Sequence, residues 1–415
     1  MFRQIRGMKD LYGVDIRKYN YIIEKAKKIS EKYGFEIIST PILEYTDVFQ
    51  RSLGDETDVV SKEMYTFSDK GGESITLRPE GTAGVMRSIV SESMFQHLPA
   101  KLMYYGEMFR YDRPQKGRYR QFHQLGFEYV GDKSPYTDAS IIIMASEILN
   151  SIGIFDFNVQ LNTLGDEETR KDYTKGLVKY LSRHEDSLSD DSKIRLKKNP
   201  LRILDSKDQK DKEICSMAPI ITDYLSKEAA TYFDNLCSLL EKAGINYEIN
   251  NFLVRGLDYY AHTTFEFKAT QGDYKDALGG GGRYDRLLSL FDGPDVSGIG
   301  FAFGIERLML LLDDTDFENN LRKVAVVPVT DAENETTFEL YKLLLNCDIP
   351  SEFFHIGNIS KKMKVANRRN CEIAIIVGET ELKNNTLTVK FMKKDKDATK
   401  IINRNDIINF LKYNL

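Results

Sequence analysis

FRYDRPQKGRYRQFHQLGFE, residues 109–128, reads as a strand, a basic loop and a returning strand. The loop gathers Arg110, Arg113, Lys116, Arg118 and Arg120 around Pro114 and Gly117, with Asp112 as the acid among them. Cations this dense repel one another unless they face an anion. The returning strand alternates with a period of two. Phe122, Gln124, Gly126 and Glu128 share one face, and His123, Leu125, Phe127 and Tyr129 share the other. The second face has the composition of core. The first is polar and has a side-chain gap at Gly126, as if a small ligand lies there. A cationic loop above a carboxamide and a carboxylate suits a phosphorylated nucleotide bound beside a small polar molecule.

Working outward, 415 residues are enough for two or three domains with cores of their own. The formal charge of −5 gives no global pull toward nucleic acid, so any polyanion site has to be a local basic patch. The longest apolar runs, such as Ile141–Ala145 and Leu308–Leu312, are far too short to span a bilayer. Residues 1–13 lack the apolar core of a secretion signal. Cys215, Cys237, Cys347 and Cys371 are scattered with no C-x-x-C pair, which argues against zinc and for a reducing compartment. A cytoplasmic protein is expected.

Upstream of the basic loop, a helix is expected at about 16–33, closed by Gly34. FEIISTPILEYTDVFQRSLG (35–54) then carries a strand broken by Pro41, and the pair suits either plain core or a subunit interface. Residues 64–69 and 74–77 form a hairpin around Gly71-Gly72, which delivers TLRPEGTA (76–83). Glu80 there heads a helix reaching about Ser91; its carboxylate either favours the helix dipole or holds an ammonium group. Downstream, 137–152 reads as a buried helix and 157–162 as a strand. From about 166 to 243 the chain turns helical, charged and poor in glycine, as an insertion would. Its cluster Lys193, Arg195, Lys197, Lys198 and Arg202 faces either solvent or nucleic acid.

LVRGLDYYAHTTFEF (253–267) reads as an apolar strand whose Arg255 needs an anionic partner or an exit to water. LGGGGRYDRLL (278–288) carries four consecutive glycines, fit for a tight bend or for backbone that approaches a ligand closely. GIGFAFGIERLML (298–310) enters a helix near Gly304 with Arg307 in its first turn. A cation there opposes the helix dipole unless it and the free N–H groups share an anion. After DDTDFENN (313–320), strands and helices alternate in a small α/β domain, with a basic element at Lys361, Lys362, Lys364, Arg368 and Arg369.

These motifs, in this order, resemble the histidyl-tRNA synthetase family of class II aminoacyl-tRNA synthetases over nearly the whole chain. Phe35–Gly54 is similar to motif one, which builds a dimer interface; Phe109–Glu128 is similar to motif two and Gly298–Leu310 to motif three, which bind ATP. RGMKDLYG (6–13), TLRPEGTA, LVRGLDYY and GGRYD (281–285) are similar to the histidine-specific parts. The resemblance implies an α+β fold: a class II synthetase antiparallel-sheet catalytic core at 1–320, with a helical insertion at about 166–243, and a C-terminal α/β anticodon-binding domain at 321–415. It implies ATP-dependent ligation of L-histidine to tRNA(His) through a histidyl-adenylate, with Mg2+ on the phosphates, in a homodimer that engages no membrane.

The family's roles then fall on particular residues. Arg110 would contact the α-phosphate and the histidine carboxylate, and Arg255 the charge that develops on the α-phosphate, which makes these two the catalytic pair. Arg307 would hold the γ-phosphate, helped by Arg118. Glu80, Thr82 and Gln124, with Gly81 among them, would hold the α-amino group. Glu128 would accept from the imidazole, with Tyr260 on the far side and Tyr259 and Tyr284 nearby. The resemblance assigns no magnesium ligands. Asp112 stands where motif two has a glutamate that positions ATP, so the carboxylate is retracted by one methylene; AHTT (261–264) also departs from the commoner wording. A non-catalytic regulatory subunit of ATP phosphoribosyltransferase is the alternative, but such proteins usually lose ATP-site residues and the last domain, and Arg110, Arg255 and Arg307 are all present.

Overall fold

The computed structural model describes residues 2–54, 57–254, 259–270, 274, 276–318, 323–392 and 399–414. Two compact units emerge, Met1–Glu318 and Asn319–Leu415.

The first unit is built on a sheet of eight strands. In chain order they are β1 (Glu36–Ile37), β2 (Ala100–Phe109), β3 (Gln121–Val130), β4 (Phe157–Thr163), β5 (Tyr247–Ile249), β6 (Ala261–Ala269), β7 (Ala277–Tyr284) and β8 (Gly298–Gly304). Across the sheet they run β1-β2-β3-β8-β7-β6-β4-β5. Every pairing from β2 to β4 is antiparallel, and only the short edge strands β1 and β5 pair in parallel. The alternation of β3 works as its residues dictate. Leu125 and Phe127 face the core with Phe265, Phe267, Phe301 and Phe303, and Phe127 stacks on Phe301 at 4.9 Å between ring centres. The helices Val14–Lys32, Pro135–Ser151 and Lys227–Lys242 cover that face. On the other face Leu102, Tyr104, Met108, Val130 and Tyr284 pack with the helix Thr82–Ser91, and polar groups such as Gln124 and Glu128 lie beside them.

The four glycines lie within β7 and make no tight bend. A Cβ on Gly281 would sit 2.0 Å from the Gly300 carbonyl oxygen, and one on Gly279 would sit 2.4 Å from that of Ala302. Glycine is what lets β7 and β8 pass this closely. The strand expected from Leu253 begins instead at Ala261, with Leu253 and Val254 irregular; Arg255 lies outside the described residues.

A second, three-stranded sheet joins Leu43–Tyr45, Ser74–Leu77 and Tyr65–Ser68. Its inner side is a hydroxyl ladder, Thr46 to Ser74 and Thr76 and Thr66 to Thr76, at 2.8–2.9 Å. Its outer side exposes Leu43, Tyr45 and Phe67. Residues 166–243 supply the helices Glu167–Leu181, Asp190–Lys198, Gln209–Cys215 and Lys227–Lys242. Each starts where an N-cap side chain, Asp166, Ser189, Asp208 or Ser226, accepts from first-turn N–H groups.

The second unit pairs Ser351–Phe353, Lys323–Pro328 and Cys371–Val377 in parallel, then adds Thr386–Phe391 and Thr399–Asn403 antiparallel. The helices Asn334–Asn346 and Ile359–Arg368 pack on it. Ser351–Phe353, Thr399–Asn403 and the helix Glu379–Asn384 were not expected; all are short, and two are edge strands whose residues alternate weakly.

Candidate active site

The polar face of the large sheet opens into a cavity of about 330 Å³. Glu80, Thr82, Arg110, Asp112, Arg118, Gln124, Glu128, Tyr259, Tyr260, Tyr284 and Arg307 all line it, although they come from separate stretches of chain. Gly81 does not. It lies under the Tyr104 ring, where a Cβ would be 2.1 Å from Cε2.

Tyr104 also corrects the expectation at Gly126. The gap is not open to a ligand, because Tyr104 stands opposite Gly126 on β2 and its ring fills the space. A Cβ on Gly126 would lie 2.1 Å from Cζ of that ring. The tyrosine is 3% exposed, and burial together with the Glu128 charge pushes the pKa of its hydroxyl well up. Only the β2–β3 register, which a single strand's pattern does not contain, could have revealed it.

Glu128 is the deepest acid of the cavity, 1% exposed. One oxygen accepts from the Thr82 hydroxyl at 2.7 Å and the other from the Tyr284 hydroxyl. Burial pushes its pKa up to about 8, against the pull of these hydroxyls. Gly300 faces it across the β3–β8 pairing; a Cβ there would be 1.7 Å from Oε2. Glu80 caps the helix Thr82–Ser91, its oxygens accepting from the N–H groups of Thr82 and Ala83 at 2.7 and 2.8 Å. Burial raises its pKa and those N–H groups oppose the rise. A carboxylate has lone pairs beyond two such bonds, so capping and holding an ammonium group are compatible. Beside it, the Gln124 Oε1 is buried with no hydrogen-bond partner. An unsatisfied buried acceptor in a cavity calls for a donor from outside the chain.

The opposite end is cationic. Arg110 donates from Nε to the Pro79 carbonyl at 2.8 Å and lies over the Phe122 ring at 5.4 Å. Burial lowers its pKa, Glu63 and Glu80 oppose this, and the charge of Arg307 adds repulsion. Both guanidinium groups line the same cavity. Arg307 rides on the five-residue helix Ile305–Met309 and donates to the Ala277 carbonyl at 2.6 Å. Lys18, 4% exposed, donates to the carbonyls of Met309, at 3.2 Å, and Leu312 at the end of that helix, and pairs with Asp314 at 2.6 Å. Arg118 stands loosely between Asp112, at 3.8 Å, and Asp276, at 3.7 Å. The remaining loop cations are elsewhere. Arg120 lies on the Tyr111 ring at 3.7 Å and its N–H donates to the Gly7 carbonyl at 2.6 Å, which fastens RGMKDLYG to the loop; Arg113 and Lys116 are exposed.

A family model described as histidyl-tRNA synthetase matches residues 7–308, and one described as an anticodon binding domain matches residues 323–414. The chain belongs to the histidyl-tRNA synthetase family. It is 44% identical over 386 residues to the histidine–tRNA ligase of Gluconobacter oxydans, covering 93% of this chain and 92% of that one. It is 43% identical over 396 residues to the histidine–tRNA ligase of Rhodospirillum rubrum, covering 95% of each. Its fold matches the crystal structure of apo S. aureus histidyl-tRNA synthetase with a TM-score of 0.81 and 36% identity, over 99% of this chain and 100% of that one. The fold is also shared, at 22% identity and a TM-score of 0.66, with a Bacillus halodurans protein titled ATP phosphoribosyltransferase regulatory subunit/histidyl-tRNA synthetase, over 91% of this chain and 98% of that one.

Within this family member, the helical segment 166–243 reaches the cavity through Arg202 and Lys207. Arg195, from the same basic cluster, pairs with Asp58 at 3.3 Å. Sequence reading missed this convergence because nothing local to 193–207 names the strands it faces. The Arg283 of GGRYD does not reach the cavity. It is fully buried and pairs with Asp138 at 2.5 Å, while Thr263 and Tyr232 donate to the same carboxylate at 2.6 and 3.1 Å. That network ties β7 to the helices Pro135–Ser151 and Lys227–Lys242 and leaves Tyr284, the next residue, aimed at Glu128.

Proposed function

We propose that this chain joins L-histidine to tRNA(His) in two steps, with Arg110, Arg255 and Arg307 holding ATP and Glu128 selecting the imidazole. The histidine carboxylate attacks the α-phosphorus of ATP in line, the bond to the bridging oxygen breaks, and diphosphate leaves. The 3′-terminal ribose hydroxyl of the tRNA then attacks the adenylate carbonyl, giving histidyl-tRNA and AMP. Fixed positive charge in a sheltered site does the work, so no nucleophilic side chain is needed. Glu80, Thr82 and the unpaired Gln124 oxygen take the α-amino group. Arg110 bridges the α-phosphate and the histidine carboxylate, Arg118 and Arg307 take the terminal phosphates, Asp112 steadies Arg118, and Arg255 completes the α-phosphate site.

The observation that carries this reading is one cavity lined by the buried carboxyl group of Glu128 and by the guanidinium groups of Arg110, Arg118 and Arg307. An apolar side chain entering the imidazole end would bring Glu128 no polar partner beyond Thr82 and Tyr284, and sites built to hydrogen-bond a substrate reject such analogues by roughly 10⁴–10⁵. No group of three or more His, Cys, Asp or Glu among the described residues is placed to hold a metal. A magnesium ion would arrive with ATP, and Glu266, one of several carboxylates on the cavity wall, would help to hold it. When bound, the ion would neutralise phosphate charge.

Residues 1–320 form the catalytic domain in this reading, with the insertion meeting the acceptor end of the tRNA, and residues 321–415 read the anticodon. The exposed Leu43, Tyr45 and Phe67 support a homodimer joined through motif one. No helix among the described residues is long and apolar enough to cross a membrane, and a cytoplasmic location goes with the substrates. The deciding experiment is ATP–pyrophosphate exchange across all amino acids. Histidine alone supports exchange, and Glu128→Ala lowers it at least 10³-fold; wild-type-like exchange by this variant rejects the assignment.

A further inference from the structure

Phe122 and Gln124 line the cavity, and His123 between them turns to the opposite side of β3. Its ring meets the Tyr19 ring edge-on, at 5.0 Å between centres, on the core side of the sheet. Pairing of β3 with β8 stops one residue short of it, at Gln124 opposite Gly304, because the chain there leaves β8 for the helix Ile305–Met309. The His123 N–H on that side has no strand to meet, and Glu306 takes the strand's place. The two carboxylate oxygens accept this N–H at 3.1 and 3.0 Å, and Oε1 also accepts from the ring Nδ1 at 2.6 Å. A carboxylate only accepts, so the bond places the ring proton on Nδ1.

The consequence falls on Arg307, the residue after Glu306. A helix of five residues does not hold itself, so its direction has to be imposed from outside. The guanidinium end of Arg307 is held by the Ala277 carbonyl at 2.6 Å; its backbone is held through Glu306. On the other side β3 is fixed by its ladder with β2, where His123 lies opposite Glu107. The pair therefore refers Arg307 to the strand that carries Gln124 and Glu128, and bonds to a charged acceptor are among the stronger ones available for this. We propose that His123 and Glu306 are positioning residues that set Arg307 where the terminal phosphates of ATP require it, with His123 acting from outside the cavity. This rests on the placement of those phosphates at Arg118 and Arg307 given above. When the ring bond is lost, the helix shifts and β3 does not, so ATP and diphosphate lose a contact and histidine keeps its own.

His123→Phe keeps a ring against Tyr19 and the backbone N–H on Glu306, and removes the Nδ1 donor. In ATP–pyrophosphate exchange by the full chain, KM for ATP and KM for pyrophosphate both rise about 10-fold, while KM for histidine stays within about 2-fold. His123→Asn, whose amide nitrogen stands close to where Nδ1 does, returns both values to within about 3-fold of wild type. Glu306→Asp keeps the charge and withdraws it by one methylene; it repeats the pattern of His123→Phe, and it judges the proposal if that variant does not fold. Unchanged KM values for ATP and pyrophosphate overturn the proposal. So does an equal rise in all three values, or an Asn variant no better than the Phe one, since either reduces the pair to a structural bond. A wild type without histidine-dependent exchange overturns the function proposed above, and is told apart because the unaltered chain itself fails.

Discussion

Burial moves the pKa of Glu128 up to about 8, against the hydroxyls of Tyr284 and Thr82 that donate to it. The sign for stability follows. Below about 4.5 the group is protonated folded and unfolded alike; above it the unfolded chain releases a proton that the folded chain keeps. Stability from this group is therefore complete at low pH and declines by about 1.4 kcal/mol per pH unit until about 8, where the folded form ionises too. Glu128→Gln has no such slope. The unfolding midpoint of wild type should fall relative to this variant between pH 5 and 8 and run parallel above that; parallel curves throughout would mean an ionised Glu128. The residue itself was legible, since period-two alternation puts Gln124 and Glu128 on one face of a strand. Tyr104 was not, because it acts across two glycines, Gly81 and Gly126, that belong to other elements.

At the scale of elements, the helix Ile305–Met309 carries Arg307 but is too short to hold itself. The carbonyls of Met309, its last residue, and of Leu312, three residues on, are met by Lys18, reaching from the helix Val14–Lys32 at the other end of the unit's sequence. Lys18→Met leaves the Leu312 carbonyl without this donor and the Met309 carbonyl with the Leu312 N–H at 3.4 Å, which costs about 1–3 kcal/mol. The expected result is a lowered unfolding midpoint together with a raised KM for ATP in exchange, and an unchanged KM for ATP would confine Lys18 to a structural part. Arg307 could be picked out from its awkward place near a helix start, but Lys18 could not, being one lysine among several on a helix whose exposed face is charged. The glycine run was visible as close-approach backbone, yet whether it bent or ran straight depended on β8 alongside it. The reading of 253–267 as one strand failed because apolar composition does not mark where pairing begins; β6 opens only at Ala261, where β7 is available to it.

For the whole molecule, the class II architecture was readable from motif order, while the partners each motif meets were not. The outward face of the three-stranded sheet is a case in point. Strand alternation separates its hydroxyls from its apolar side chains, and Tyr45 is left 60% exposed. If a second copy covers this face, Tyr45→Glu should shift the protein from dimer to monomer in sedimentation velocity at micromolar concentration. A variant that remains dimeric would move the interface elsewhere. The cavity's walls, meanwhile, come from stretches scattered between Asp58 and Arg307, with the helical segment adding Arg202 and Lys207. No single block of the gene encodes a working fraction of them. Recombination that swaps one contiguous piece with a distant cousin therefore replaces part of the wall and leaves the rest, so the exchanged residues meet partners they did not evolve beside.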